Sequence, residues 1–168
     1  LGARYRLADL HAKHASPEAN PKKAYSLYKS LYDDNRNADL AVRRVYSALA
    51  AYKLSGYVLE GIGTRPSESK GFKWLEVSAE GGYLISQYEW GKRLVAGDGV
   101  GQNLDEGVRW LIVAANQGHA EARGELARLN LDRPIANLDE DTIIAWLKEW
   151  VDAGSGEARL LLREYGIE

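Results

Sequence analysis

Three histidines, two acidic clusters and one glycine-rich stretch are the residues of this chain whose types and spacing could do chemistry. His11 and His14 stand three apart and could share a metal ion, but a closed zinc site takes about four ligands and no third is spaced near them. Gly97-Asp98-Gly99-Val100-Gly101 has the composition of a phosphate-cradling loop, which must follow a strand and open directly into a helix. Here it follows a helical pattern, so a tight interhelical turn built on positive-φ glycine is expected. Asp33-Asp34 and Asp139-Glu140-Asp141 offer paired carboxylates for hydrolysis. The second cluster falls in the first turn of a helix, where the helix dipole already stabilises negative charge. His119 follows Gly118 in a short turn, and three scattered histidines assemble no Ser-His-Asp set. With zero cysteines, disulfides, thiolate metal sites and cysteine nucleophiles are all excluded. The expectation is a protein without catalytic residues, cofactor or metal.

Composition narrows the partner classes. With 45% apolar and 27% charged residues, the chain has a folded protein's composition, and no apolar run is long enough for a membrane span. A net charge of −2 and pI near 6.0 give no basic footprint for a phosphate backbone, so nucleic acid is not an expected partner. Without cysteine, periplasmic or exported and cytoplasmic locations are both allowed. Methionine is absent and Leu1-Gly2-Ala3 already lies inside a helical pattern, which predicts a processed or truncated product, one that a signal peptide could have preceded.

The elements that position these residues repeat. Trp74, Trp110 and Trp146 are spaced by 36 residues, as are Gly82, Gly118 and Gly154, and as are Ser67, Asn103 and Asp139. The last three are good N-cap types, and each lies 15 residues before its glycine, the span of a helix of three to four turns closed by a left-handed glycine. Asn103 and Glu106 also have capping-box spacing. These are second helices of a two-helix unit. The first helices carry a stripe of small and large residues at the same period: Ala50, Leu54, Ser55 and Val58; Ser86, Trp90, Gly91 and Leu94; Ala122, Leu126, Ala127 and Asn130. Small beside large lets antiparallel helices approach and interlock. An earlier copy matches at an offset of 47, eleven residues more than 36, with Asn20 as cap and Pro21 behind it. Eleven residues are close to three helical turns, so the insertion between Asn35 and Ala50 predicts one unusually long first helix running to about Leu59.

The fold expected is therefore all-α, a right-handed α-α superhelix of about four helix-turn-helix repeats plus a C-terminal half repeat. Residues 1–168 form one solenoid with repeats at about 1–35, 36–82, 83–118 and 119–154, and a capping helix at 155–168. The repeating tryptophans, with Val77, Val113 and Leu147 on the same face, are expected in the core, where each buries on the order of 150–250 Å² and truncation costs about 3–5 kcal/mol. First helices of such stacks line the concave binding surface. Positions between the buried stripes nominate Tyr52, Lys53, Tyr57, Tyr88, Glu89, Lys92, Arg93, Glu125 and Arg128 as partner-binding residues, Tyr and Arg being frequent carriers of interface energy. The face of the first helix around Tyr5 and Leu10 is only partly polar, which predicts further upstream repeats or a partner there.

The third unit, Trp90-Gly91-Lys92-Arg93-Leu94-Val95-Ala96-Gly97-Asp98-Gly99-Val100, then Asp105, Trp110, Ala114-Ala115 and Gly118-His119-Ala120-Glu121-Ala122, resembles the Sel-one-like repeat family, a branch of the tetratricopeptide-like helical repeats. The second unit keeps Gly61-Ile62-Gly63, Lys70-Gly71, Trp74, Ala79 and Gly82. Departures fall at the glycine loops of the outer units, Arg133-Pro134-Ile135 in the fourth and His14-Ala15-Ser16 in the first. The resemblance implies a non-enzymatic adaptor that holds one or more proteins in signalling, secretion or cell-envelope complexes, with no catalytic residues to carry over. Two alternatives stand beside it. One is an accessory ligand- or glycan-binding protein of an envelope polysaccharide assembly or secretion complex, using the tyrosines; the other is a hydrolase, which would need a deep pocket that open solenoids seldom enclose.

Overall fold

The computed structural model describes residues 2–12, 19–37, 41–136 and 138–167. Among them are nine helices and no strand: α1 (Gly2–Ala12), α2 (Pro21–Asn35), α3 (Ala41–Glu60), α4 (Glu68–Glu80), α5 (Leu84–Ala96), α6 (Leu104–Asn116), α7 (Ala120–Asp132), α8 (Glu140–Asp152) and α9 (Gly156–Glu164). Each helix packs on its neighbours in the chain, and α7 also reaches α9. The result is an all-α solenoid in which odd-numbered helices are the first, and even-numbered the second, of each unit.

Local chemistry sets the boundaries. Asn20, Ser67, Asn103 and Asp139 each precede a second helix in non-helical backbone and accept from the amide three residues on. Pro21 occupies the first position of α2, where its missing N–H leaves nothing unsatisfied. The capping-box spacing is used differently from expectation. The Glu106 carboxylate accepts from the Asn103 side-chain amide at 2.9 Å, because the Asn103 backbone N–H is already donated to Leu94 O at 2.8 Å. Gly82, Gly118 and Gly154 have φ of 90°, 91° and 96°, the left-handed closure that turns each second helix into the next unit.

The stripe found by spacing is the buried one. Ala50, Leu54, Ser55 and Val58, then Ser86, Trp90, Gly91 and Leu94, then Ala122, Leu126 and Ala127 are all buried, whereas Asn130, expected to end the third stripe, is only half-buried; Ala158 with Leu162 continues the series in α9. Ser86 is satisfied within the core: it donates to Ser78 Oγ, which donates to Ala48 O, both at 2.7 Å. Where the stripe crosses the second helix, α5 and α6 meet backbone to backbone. A Cβ on Gly107 would lie 2.8 Å from Gly91 O, and one on Gly91 would lie 3.0 Å from Gly107 O. Gly71 is pressed equally hard on Leu59 of α3.

The repeating tryptophans correct an expectation. Trp74, Trp110 and Trp146 are half-buried, and Val113 is 39% exposed. The core position is one residue later: Leu75, Leu111 and Leu147 share the 36-residue period and are 2%, 0% and 0% exposed. At 100° per residue, the side chain that follows the crossing residues Gly71, Gly107 and Ile143 by four points straight at the first helix. The residue before it lies on the flank, so each indole covers the edge of a core cluster. The fully core tryptophan is Trp90, from a first helix, at 7% exposure.

At 20 residues α3 is the longest helix, against 13 for α5 and α7. Its added N-terminal turns keep the phase of Ala50 and Leu54 and leave Val42 and Val45 63% and 59% exposed. The first unit packs around aromatic rings, Tyr28 meeting Tyr5 and Tyr57 edge-on at 5.8 and 5.7 Å, while the Tyr28 hydroxyl donates to Asp9. Leu7 and Leu10 on α1 are about two-fifths exposed. The expected first loop at His14-Ala15-Ser16 lies outside the described residues.

Candidate functional site

The nominated residues come from the first helices α3, α5 and α7, at positions beside the buried stripe. Tyr52, Lys53, Tyr57, Glu89 and Arg93 line one cleft of about 220 Å³ between α3 and α5. Tyr88, Glu89, Lys92 and Arg93 line a second of about 320 Å³ on α5. The two clefts share Glu89 and Arg93, so they adjoin. Glu125 and Arg128 lie outside both but are tied in by charge: Lys92 Nζ is 4.0 Å from Glu125, and Arg128 reaches Glu125 at 2.8 Å and also pairs with Glu157 of α9. On the other side the Tyr52 hydroxyl donates to Glu89 at 3.2 Å. A line of polar contacts thus runs across α3, α5, α7 and α9.

Two nominees are more structural than their positions implied. Tyr57 is 8% exposed and belongs to the first core cluster, touching the cleft only as wall. Arg93 lays its guanidinium 4.4 Å over the Phe72 ring and pairs with Asp98 at 2.7 Å. Each follows a large core residue, Leu54 or Trp90, by three positions, which places it on the edge of the buried stripe. Arg93 thereby fastens the glycine loop, in which Gly97 and Gly99 have φ of 73° and 72° and Gly99 sits so close on Phe72 that a Cβ would overlap the ring. The loop is a turn between α5 and α6, as its place after a helix pattern required.

Two aromatic partners were not nominated. Tyr83 packs on Tyr52 with ring centroids 5.1 Å apart, and 36 residues later His119 stacks on Tyr88 at 4.3 Å and 25°. The period that related Tyr52 to Tyr88 also relates Tyr83 to His119, and that signal could have found both. His119 is the N-cap of α7, its Nδ1 accepting from the Ala122 N–H at 3.4 Å. Burial holds its pKa below the ordinary value against the pull of Glu121 and Glu89, which keeps the neutral, accepting ring that the cap needs. Burial, then the nearby Glu89 carboxylate, push the Tyr52 phenol up to about 12, so it is a hydrogen-bond donor at any ordinary pH.

The carboxylate clusters are occupied structurally. Asp33 pairs with Lys29 at 2.6 Å, Asp34 with Arg4 at 2.7 Å, and Asp139 caps α8. Among the described residues no three His, Asp or Glu side chains converge as metal ligands, His14 lying outside them. No described helix is long and apolar enough to cross a membrane.

Comparison with known proteins agrees with this architecture. A Sel1 repeat protein from Oxalobacter formigenes superposes with a TM-score of 0.66 at 25% identity, covering 82% of this chain and 95% of that one. A protective antigen present in uropathogenic Escherichia coli strains, displaying an SLR fold, superposes with a TM-score of 0.67 at 18% identity; it covers 94% of this chain, which matches 32% of the antigen's length. No curated protein matches. The Sel1 repeat model matches residues 2–35, 48–83 and 84–119, well over half the sequence, and the chain belongs to the Sel1 repeat family.

Proposed function

We propose that the protein is a non-enzymatic scaffold that binds another protein along the face of its first helices, the concave face of the solenoid. Family membership supports a helical-repeat interaction module in general terms. The observation that carries the finer reading is the pair of adjoining clefts on α3 and α5, walled by Tyr52, Tyr88, Glu89 and Lys92 and continued in charge to Glu125 and Arg128. Partly exposed tyrosines held rigid by stacking lose little entropy on binding, and alternating charges along a groove select register and partner.

The test is affinity capture with the intact chain and a Tyr88→Ala/Lys92→Glu variant of unchanged helicity, with Lys148→Glu on α8 as control. A protein retained by the intact chain and the control but lost by the variant is the expected result. Equal retention by all three would move the binding surface elsewhere. The ring pairs Tyr52–Tyr83 and Tyr88–His119 favour a second reading, a glycan-binding accessory; saturable calorimetric binding of an oligosaccharide, abolished by Tyr88→Ala, would support it.

A further inference from the structure

A cavity of about 790 Å³ lies not on the first-helix face but between the second helices α2 and α4, under the turn that leads into α4. Five cations line it: Lys29 from α2 and Arg36 at its C-terminal cap, Arg65 from the turn, Lys70 and Lys73 from α4. Asp33 is the single carboxylate in the wall. Lys29 pairs with Asp33 and Lys73 with Glu76; Arg65 and Lys70 form no ion pair with a described residue. The floor is aromatic. Tyr32 and Trp74 meet edge-on at 4.8 Å, with Lys29 Nζ 5.6 Å above the indole, and Tyr25 closes one end.

The solenoid supplies its own control. Shifted by one repeat, the same crevice between α4 and α6 would carry Glu76 and Glu80 for Lys29 and Asp33, Gly101 for Arg65, and Glu106 for Lys70, with Ala79 in place of Tyr32. Only the Lys73 position stays basic, as Arg109, while the aromatic character is kept at two positions, Trp110 for Trp74 and Phe72 for Tyr25. The concentration of cations is therefore no consequence of the repeat, and it appears in a chain whose net charge is −2.

We propose that the α2/α4 crevice is a second binding site, opposite the first-helix face, for an acidic peptide segment that carries an apolar side chain between its carboxylates. The positive charge comes from three elements around a wide mouth and is mostly lysine, compact charge on a flexible stem. That suits carboxylates spread along an extended chain better than one anion held at a point. The half-buried Trp74 and Tyr32 give the apolar side chain a surface already ordered by their edge-on contact. Complementary charge at such a rim speeds encounter and selects against basic segments.

Fluorescence anisotropy with two short labelled peptides tests this, one of Glu-Glu-Leu repeats and one of Gln-Gln-Leu repeats. The glutamate peptide is expected to bind, more weakly as salt rises, and the glutamine peptide to bind at least roughly tenfold more weakly. An Arg65→Gln/Lys70→Gln variant, changed only at exposed side chains, should lose roughly five- to tenfold in affinity for the glutamate peptide, whereas Arg109→Gln in the next junction should lose none. Equal binding of the two peptides, or an unchanged affinity in the double variant, overturns the proposal. So does displacement of the peptide by an equivalent amount of inorganic tripolyphosphate, which would mark a point-anion site.

Discussion

The third and fourth units carry the same tryptophan and the same closing glycine, yet their helix pairs are built differently. In the third, Gly91 and Gly107 let α5 and α6 touch along their backbones, and Gly99 folds the connecting loop onto Phe72. In the fourth the corresponding residues are Ala127, Ile143 and Ile135. Ile143 fills the crossing, α7 and α8 make the loosest contact of any pair within a unit, and α7 turns partly to α9. Ile135 in the loop packs at the edge of the core cluster of α6 and α7, and a trough of about 550 Å³ opens between Val108, Ile112, Leu129 and Ile135. The family model stops at residue 119. What distinguishes a tightly closed unit is thus the glycine at the crossing and in the loop, while the tryptophan survives in a unit that has relaxed.

The comparison is broken most directly at the core leucine. Leu111→Ala should cost about 2–5 kcal/mol, whereas Trp110→Ala, removing a half-buried ring, should cost about 2 kcal/mol; urea denaturation measures both. The reverse order would restore the tryptophan as the main holding residue. Next, Gly107→Ile copies the fourth unit's crossing into the third and should cost about 1–3 kcal/mol by forcing the helices apart. Unchanged stability would mean that the crossing glycine does not set the spacing.

The smallest effect concerns pH. Burial raises the phenol pKa values of Tyr5, Tyr28, Tyr52, Tyr57 and Tyr83, all in the first units or at their junction with the third, and Tyr165 is the counterpart at the far end. Unfolded tyrosine ionises near pH 10, so above that the unfolded chain binds fewer protons than the native one. Stability that is complete below pH 10 then falls as pH rises, for Tyr52 through about 12. Melting by circular dichroism across this range should show Tyr52→Phe flattening the fall. Tyr165→Phe should flatten it less, since the Asn130 hydrogen bond offsets part of the burial effect there. Equal slopes in all three proteins would remove the tyrosines from the account.

Much was legible because it is periodic and local. Helix starts followed from Asn20, Ser67, Asn103 and Asp139, whose side chains reach amides three residues away whatever the rest of the fold does. Helix ends followed from glycines that alone take a left-handed φ without strain, and the phase of the long α3 from the turn count of its insertion. Among the candidate residues, Tyr52, Glu89 and Lys92 could be placed beside the buried stripe by counting from it. Tyr57 and Arg93 could not, since an edge position faces in or out according to what the neighbouring helix presents, here Tyr28 and Phe72.

The sequence by itself determined the number of described helices, the caps of the second helices and most of the stripe buried by α3, α5 and α7, because these depend on contacts within a few residues. Only the tertiary structure decided that the leucine after each tryptophan fills the core, that His119 stacks on Tyr88, and that five cations from three elements surround one aromatic crevice. Those outcomes depend on the distance and angle between helices, which are set by packing residues far apart in the chain and leave no mark in the spacing of any one of them.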